Sequence, residues 1–213
     1  TGKMVEGMNQ SGLLPFEIVW KPTLIDNASI RRTFNEANQD EECAGVITWM
    51  HTFSPAKSWI LGLQEYRKPL MHLHTQFNQE IPYDTIDMDF MNTNQSAHGD
   101  REFGHIVSRM GIERKVIVGF WEDREVLKRI ASWMRTAIGI MESSHIRVVR
   151  VGDNMRNVAV TEGDKVEAHI KFGWEIDAYN ITDIAEYVQE IKEAEIDTLV
   201  EEYYSKYDII LDG

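Results

Sequence analysis

Seven histidines offer the first chemistry, because imidazole carries protons near neutral pH and also ligates metals. His72 and His74 stand two apart in the run Pro69 to Thr75 (PLMHLHT). On a strand, that spacing sends both rings off one face. There they could share a metal, pack through hydrogen bonds or bind a ligand at the strand end, and no third metal ligand stands at a compatible spacing. His98, Glu102 and His105 fall at i, i+4 and i+7, on one side of a predicted helix. The His-Glu-x-x-His order of a metalloprotease helix is absent, so an ordinary polar helix face is the simpler reading. Asp84, Asp87 and Asp89 follow Pro82 but lack the glycine and terminal glutamate of a calcium loop; helix capping accounts for them. Gly152-Asp153-Asn154-Met155-Arg156 has the composition of a tight turn. The sequence holds no phosphate loop, dinucleotide fingerprint, Gly-x-Ser-x-Gly elbow or Cys-centred nucleophile motif.

These residues need a scaffold, and the first 150 residues supply a pattern for one. Short β-branched runs alternate with stretches of 3.6-residue period, which predicts a parallel sheet covered by helices. Phe16–Trp20, bracketed by Pro15 and Pro22, reads as a short strand. Asp26 or Asn27 caps a helix in which Ile30, Phe34 and Ala37 share a face. Cys43–Met50 (CAGVITWM) is continuous in its apolar character, which places it in the centre of a sheet. Ser54 then caps a helix with Pro55 at its first position. Pro69–Thr75 is the next strand, Met88–Met110 a helix interrupted near Gly99 or Gly104, Lys115–Phe120 a strand, Glu122–Met141 a long amphipathic helix and Ile146–Val151 a strand. The texture then changes to short alternating segments over residues 158–178, and the tail from Ile181 to Tyr204 is helical. A domain boundary is expected near residue 150, with a second α/β unit over residues 151–213. Loops at the carboxyl ends of the strands are where such sheets bind ligands. Polar, aromatic-bearing loops there suit a small hydroxylated molecule.

Composition narrows the function further. In 213 residues, 35 acidic side chains outnumber 22 basic ones, for a formal charge of −13. That field repels phosphodiester backbones, so nucleic acid is a poor partner. Ten acidic residues against Lys192 and Lys206 crowd residues 181–213, the mark of a solvated helix face. No run reaches the ~18 apolar residues of a membrane span. A single cysteine, Cys43, rules out a disulfide framework within the chain and favours a cytoplasmic setting. The opening Thr1-Gly2-Lys3-Met4 has neither initiator Met nor signal pattern, and reads as the start of an internal piece.

Four long strings resemble the L-arabinose isomerase family: His51–Lys57 (HTFSPAK), Lys68–Asn78 (KPLMHLHTQFN), Ile86–Gly104 (IDMDFMNTNQSAHGDREFG) and Gly152–Gly173 (GDNMRNVAVTEGDKVEAHIKFG). The resemblance implies a Rossmann-like N-terminal domain over residues 1–150, without its first strand, then the start of a central α/β domain over residues 151–213. It also implies a metal-dependent interconversion of L-arabinose with L-ribulose, and of D-galactose with D-tagatose. The metal is typically manganese (Mn2+), and its two Glu and two His ligands fall beyond this sequence. No catalytic base or metal ligand is therefore assigned within the chain, and the segment alone is expected to be inactive. What carries over is the substrate rim: Phe53, Gln95 and His98 as sugar contacts closing a neighbouring subunit's pocket, and Met155 as a pocket-lining residue. The family implies a homohexamer. A non-catalytic sugar-binding or assembly module is the alternative.

Overall fold

The computed structural model describes Thr1–Leu211, and the chain divides into two compact units, Thr1–Glu142 and Ser143–Gly213. The first unit opens with α1 (Gly2–Gln10) and α2 (Asn27–Gln39), followed by β1 (Val46–Trp49), a 3-10 turn at Ala56–Trp59, α3 (Ile60–Glu65) and β2 (Leu70–His74). It continues through α4 (Met88–Thr93), α5 (Ser96–Arg109), β3 (Lys115–Val118) and α6 (Arg124–Ser143). The three strands form a parallel sheet in the order β1-β2-β3, with Val46 opposite Leu70 and His72 opposite Val116.

Alternation along β2 explains how both faces of the sheet are covered. Met71 and Leu73 enter a cluster with Val5 and Met8 of α1 and with Leu127, Ile130 and Met134 of α6. Leu70 points the other way, into a cluster with Ile30 and Phe34 of α2, Leu63 of α3 and Phe103 and Val107 of α5. The result is an α/β fold, a Rossmann-like parallel sheet with helices on both faces. His72 and His74 necessarily share Leu70's side, under α5.

Several local expectations are corrected. Phe16–Trp20 is not a strand. Asn9 clasps its middle instead, its Nδ2 donating to the Ile18 carbonyl at 3.0 Å and its Oδ1 accepting from the Ile18 N–H at 2.9 Å; one amide side chain stands in for a neighbouring strand. The apolar Cys43–Met50 run yields β1 at an edge of the sheet, while the histidine-bearing β2 occupies the centre. Hydropathy underrates β2 because its buried imidazole has a polar partner. Of the two expected caps of α2 it is Asp26 that serves, in a capping box with Ser29, but Ser54 caps nothing: its hydroxyl accepts from Trp59 Nε1 at 3.1 Å, and Pro55 precedes the 3-10 turn. The break in Met88–Met110 falls at Asn94–Gln95, not at a glycine. There the Asn94 side chain donates to the Phe90 carbonyl at 2.9 Å and ends α4.

The second unit holds β4 (Arg147–Val151), a 3-10 turn at Ala159–Thr161, α7 (Lys165–Phe172), β5 (Glu175–Tyr179), α8 (Ile181–Glu190) and α9 (Glu193–Lys206). The strand read from Ile146–Val151 thus pairs in parallel with β5, not with the first sheet. Val166–Phe172 is helical, capped by Asp164 and ended by Gly173 in the left-handed region at φ 75°, where a side chain would be strained. Trp174 Nε1 donates to Ser143 Oγ at 2.8 Å and ties β5's entry to the unit's start. The tail breaks at Ile191–Lys192 into its two helices. Among the described residues, no helix is long and apolar enough to cross a membrane.

Candidate functional site

In the first unit, the turn between α4 and α5 is stitched to the exits of two adjacent strands. After β1, the Thr52 hydroxyl donates to the Asn92 carbonyl, and His51 Nδ1 donates to the Thr93 carbonyl at 3.0 Å. After β2, Asn78 and Asn94 exchange bonds of 2.8 and 2.9 Å, and Ser96 Oγ donates to Gln76 Oε1 at 3.2 Å. These contacts lie at the carboxyl ends of parallel strands, where the sheet directs its loops toward ligands.

Beneath the turn lies Asp100, whose side chain is fully buried. His72 Nε2 is hydrogen-bonded to its Oδ1 at 2.6 Å, and His74 Nε2 lies 3.2 Å from its Oδ2. The two imidazoles are parallel, with centroids 5.9 Å apart, and Phe103 meets His72 edge-on at 5.0 Å. The His74 contact is close without hydrogen-bond alignment; Asp100 Oδ2 and His72 Nδ1 are buried atoms with no hydrogen-bond partner among the described residues.

Burial holds the Asp100 carboxyl above its ordinary value of 3.8, against the opposing pull of His72 and His74. The folded chain therefore binds this proton more tightly than the unfolded chain does. Asp100's contribution to stability is full below the ordinary value and is lost as pH rises through the raised one. Asparagine at this position does not titrate. The stability advantage of the parent over Asp100→Asn is accordingly expected to shrink as pH rises from below 3.8 toward neutrality. Paired denaturation curves across that range measure it, and an advantage that grew with pH would contradict the burial argument.

Above the cluster, the Phe53 and His98 rings pack at 4.9 Å, inclined at 50°. Both side chains are exposed, and Gln95 is half-buried at the N-cap of α5, where its side chain makes no capping bond. An aromatic ring, an imidazole and an uncommitted amide on a rigid turn can cover C–H groups and hydrogen-bond hydroxyls. Two hollows lie elsewhere: one of about 610 Å3 along α2, lined by Arg31 and Asn35, and one of about 310 Å3 at Leu63 and Tyr66. Neither is lined by Phe53, Gln95, His98 or the Asp100 cluster.

Two family models match the chain: one described as the L-arabinose isomerase N-terminal domain over residues 1–145, the other as the central domain over residues 147–212. The chain belongs to the L-arabinose isomerase family. The L-arabinose isomerase of Geobacillus stearothermophilus is 58% identical over 210 residues, which are 99% of this chain and 42% of that protein. That of Bacillus subtilis (strain 168) is 59% identical over 192 residues, 90% of this chain and 39% of the relative. The enzyme of Bacteroides thetaiotaomicron is 55% identical over 208 residues, 98% of the chain and 41% of the relative. The chain thus spans about two-fifths of the length of these L-arabinose isomerases.

Of the residues the family resemblance singles out, the first unit brings Phe53 and His98 into contact and sets Gln95 in the same turn. Met155 belongs to the second unit, where it is exposed and its N–H donates to Thr161 Oγ1 at 3.1 Å. Manganese does not fit the described residues. No group of three or more His, Cys, Asp or Glu among them is arranged to hold a metal. The nearest approach, His72, His74 and Asp100, spends its one carboxylate on its own imidazoles. Manganese favours carboxylate and other oxygen donors, which that cluster does not present.

Asp100 was not singled out from the sequence. The signal was there: Ser96, Gly99, Asp100, Phe103 and Val107 are the buried residues of α5 and follow a helical stripe. A carboxylate on a buried stripe needs a partner, and two same-face histidines supply one. His98, Glu102 and His105 belong to the more exposed side of the same helix.

Proposed function

We propose that this chain is the N-terminal and early central portion of a metal-dependent aldose-ketose isomerase acting on L-arabinose and L-ribulose, with D-galactose and D-tagatose as a second pair. Its part is one wall of the sugar pocket and of a subunit contact. The identity to L-arabinose isomerases over nearly the whole chain supports the reaction class. The exposed Phe53–His98 pair on a turn held from both sides supports the wall. His98 and Gln95 hydrogen-bond sugar hydroxyls, Phe53 covers the C–H side of the sugar, and Met155 lines the pocket from the central portion. The manganese ligands and the acid–base pair come from polypeptide outside these residues. The assembled enzyme is a cytoplasmic homohexamer in which this wall serves a neighbour's pocket.

In the full-length enzyme, His98→Ala or Gln95→Ala is expected to raise KM for L-arabinose about tenfold with little change in kcat, the sign of lost uniform binding. The isolated chain, supplied with manganese and L-arabinose, is expected to yield no L-ribulose. Turnover by the isolated chain would defeat the division of labour, and unchanged KM in both variants would remove the wall from the pocket.

A further inference from the structure

The buried Asp100 cluster is not a surface for sugar, yet it is built with more polar chemistry than packing requires. A charged side chain seldom enters a core without partners, because its desolvation costs several kcal/mol. Here the carboxylate sits on the first turns of α5, four residues beyond Ser96, and reaches β2 through His72 and His74. Gly99, beside it, fits against the Thr52 carbonyl so closely that even a Cβ would collide. The turn carrying Gln95 and His98 is therefore fixed to β2 from below by Asp100 and to the loop after β1 by Gly99.

We propose that Asp100, acting through His72 and His74, is a positioning residue that sets Gln95 and His98 at the sugar-facing rim. The inference rests on the pocket-wall reading above and adds a residue that touches no sugar. Three polar groups define the register: His72 and Asp100, fully buried and hydrogen-bonded to each other at 2.6 Å, and His74, in close polar contact with Asp100 at 3.2 Å, its side chain 35% exposed at the strand's end. A carboxamide in place of the Asp100 carboxyl, or hydrocarbon in place of either histidine, lets the first turn of α5 drift. Hydrogen bonds to hydroxyls are steep in distance and angle, so a drift well under an ångström weakens them.

The test is a double-mutant cycle in the full-length enzyme, reading KM and kcat for L-arabinose. Asp100→Asn alone is expected to raise KM about fivefold with kcat nearly unchanged. In a background already carrying both Gln95→Ala and His98→Ala, adding Asp100→Asn should raise KM no further, because the groups it positions are gone. His74→Leu should raise KM in the same direction, and His74→Gln, which keeps an amide N–H near Nε2, should restore part of it. Should Asp100→Asn not fold, the His74 pair in the two backgrounds gives the same decision, since that side chain is partly exposed. An Asp100 or His74 effect that persists undiminished without Gln95 and His98 would overturn the proposal and leave a purely structural cluster. Unchanged KM in the Asp100 and His74 variants, with KM raised by His98→Ala, would overturn it while sparing the pocket wall. Unchanged KM in the Gln95 and His98 variants themselves would overturn both.

Discussion

Replacing Phe103 with alanine is expected to cost the protein about 3 to 5 kcal/mol, with a fall in melting temperature of roughly 10 °C. Phe103 is fully buried on α5, its ring edge-on to Trp59 at 5.1 Å and to His72 at 5.0 Å. It touches both the apolar cluster under α2 and α3 and the polar cluster at Asp100. Truncation removes the transfer energy of the ring and leaves a cavity with walls of aromatic edges, which close in poorly. Since domains are stable by only about 5 to 15 kcal/mol, the loss is a large part of the total. Phe103→Leu keeps most of the apolar volume and should lose much less. Equilibrium denaturation of the three proteins side by side decides the matter, and an alanine variant within error of the parent would show that this helix face does not anchor the unit.

Gly99→Ala is the second large effect, and it runs against helix propensity. Alanine is favoured over glycine inside a helix by about 1 kcal/mol, and Gly99 is an interior residue of α5. A Cβ there would drive into the Thr52 carbonyl oxygen, with Met50 Cβ only 3.2 Å away. The oxygen belongs to backbone, so relief demands that the loop after β1 or the whole first turn of α5 move. Overpacking of this kind costs about 1 to 3 kcal/mol, occasionally more. With backbone as the obstacle the upper end applies, so the clash outweighs the propensity gain. The same substitution at Gly139 provides the contrast. Gly139 lies inside α6 with open space around its missing Cβ, and Gly139→Ala should stabilise the protein by about 0.5 to 1 kcal/mol. Opposite signs for the two glycines in one denaturation series are the expected outcome; a stabilising Gly99→Ala would mean that the loop and the turn are not held against each other.

Both effects converge on α5, and they show what local sequence could and could not reveal. The 3.6-residue period located α2 and α6 because their buried faces are conventionally apolar, Ile30 and Phe34 on one and Leu127, Ile130 and Met134 on the other. The period of two placed His72 and His74 on one face, and their parallel rings bear that out. The same logic failed where a polar side chain replaced an ordinary backbone partner. Asn9 satisfies both backbone groups of Ile18 and so removes the need for a strand. Asn94 ends α4 through its own side chain, so the break falls short of the glycines. Ranking strands by unbroken apolar runs put the wrong strand in the centre, because burial in β2 is supported by a hydrogen-bonded imidazole as well as by hydrocarbon.

The linear order of residues was enough for the α/β class, for most of the helices and strands of the first unit, and, through long matching strings, for the family. These rest on periodicity and on stretches of contiguous residues, which act over a few positions along the chain. Only the folded arrangement decided that Asp100 lies under the turn, that Phe53 meets His98, and that the strand at Arg147–Val151 pairs with Glu175–Tyr179. Each joins residues about 25 to 45 positions apart, and pairings across such a distance follow from which faces pack together, a choice made by the whole core at once.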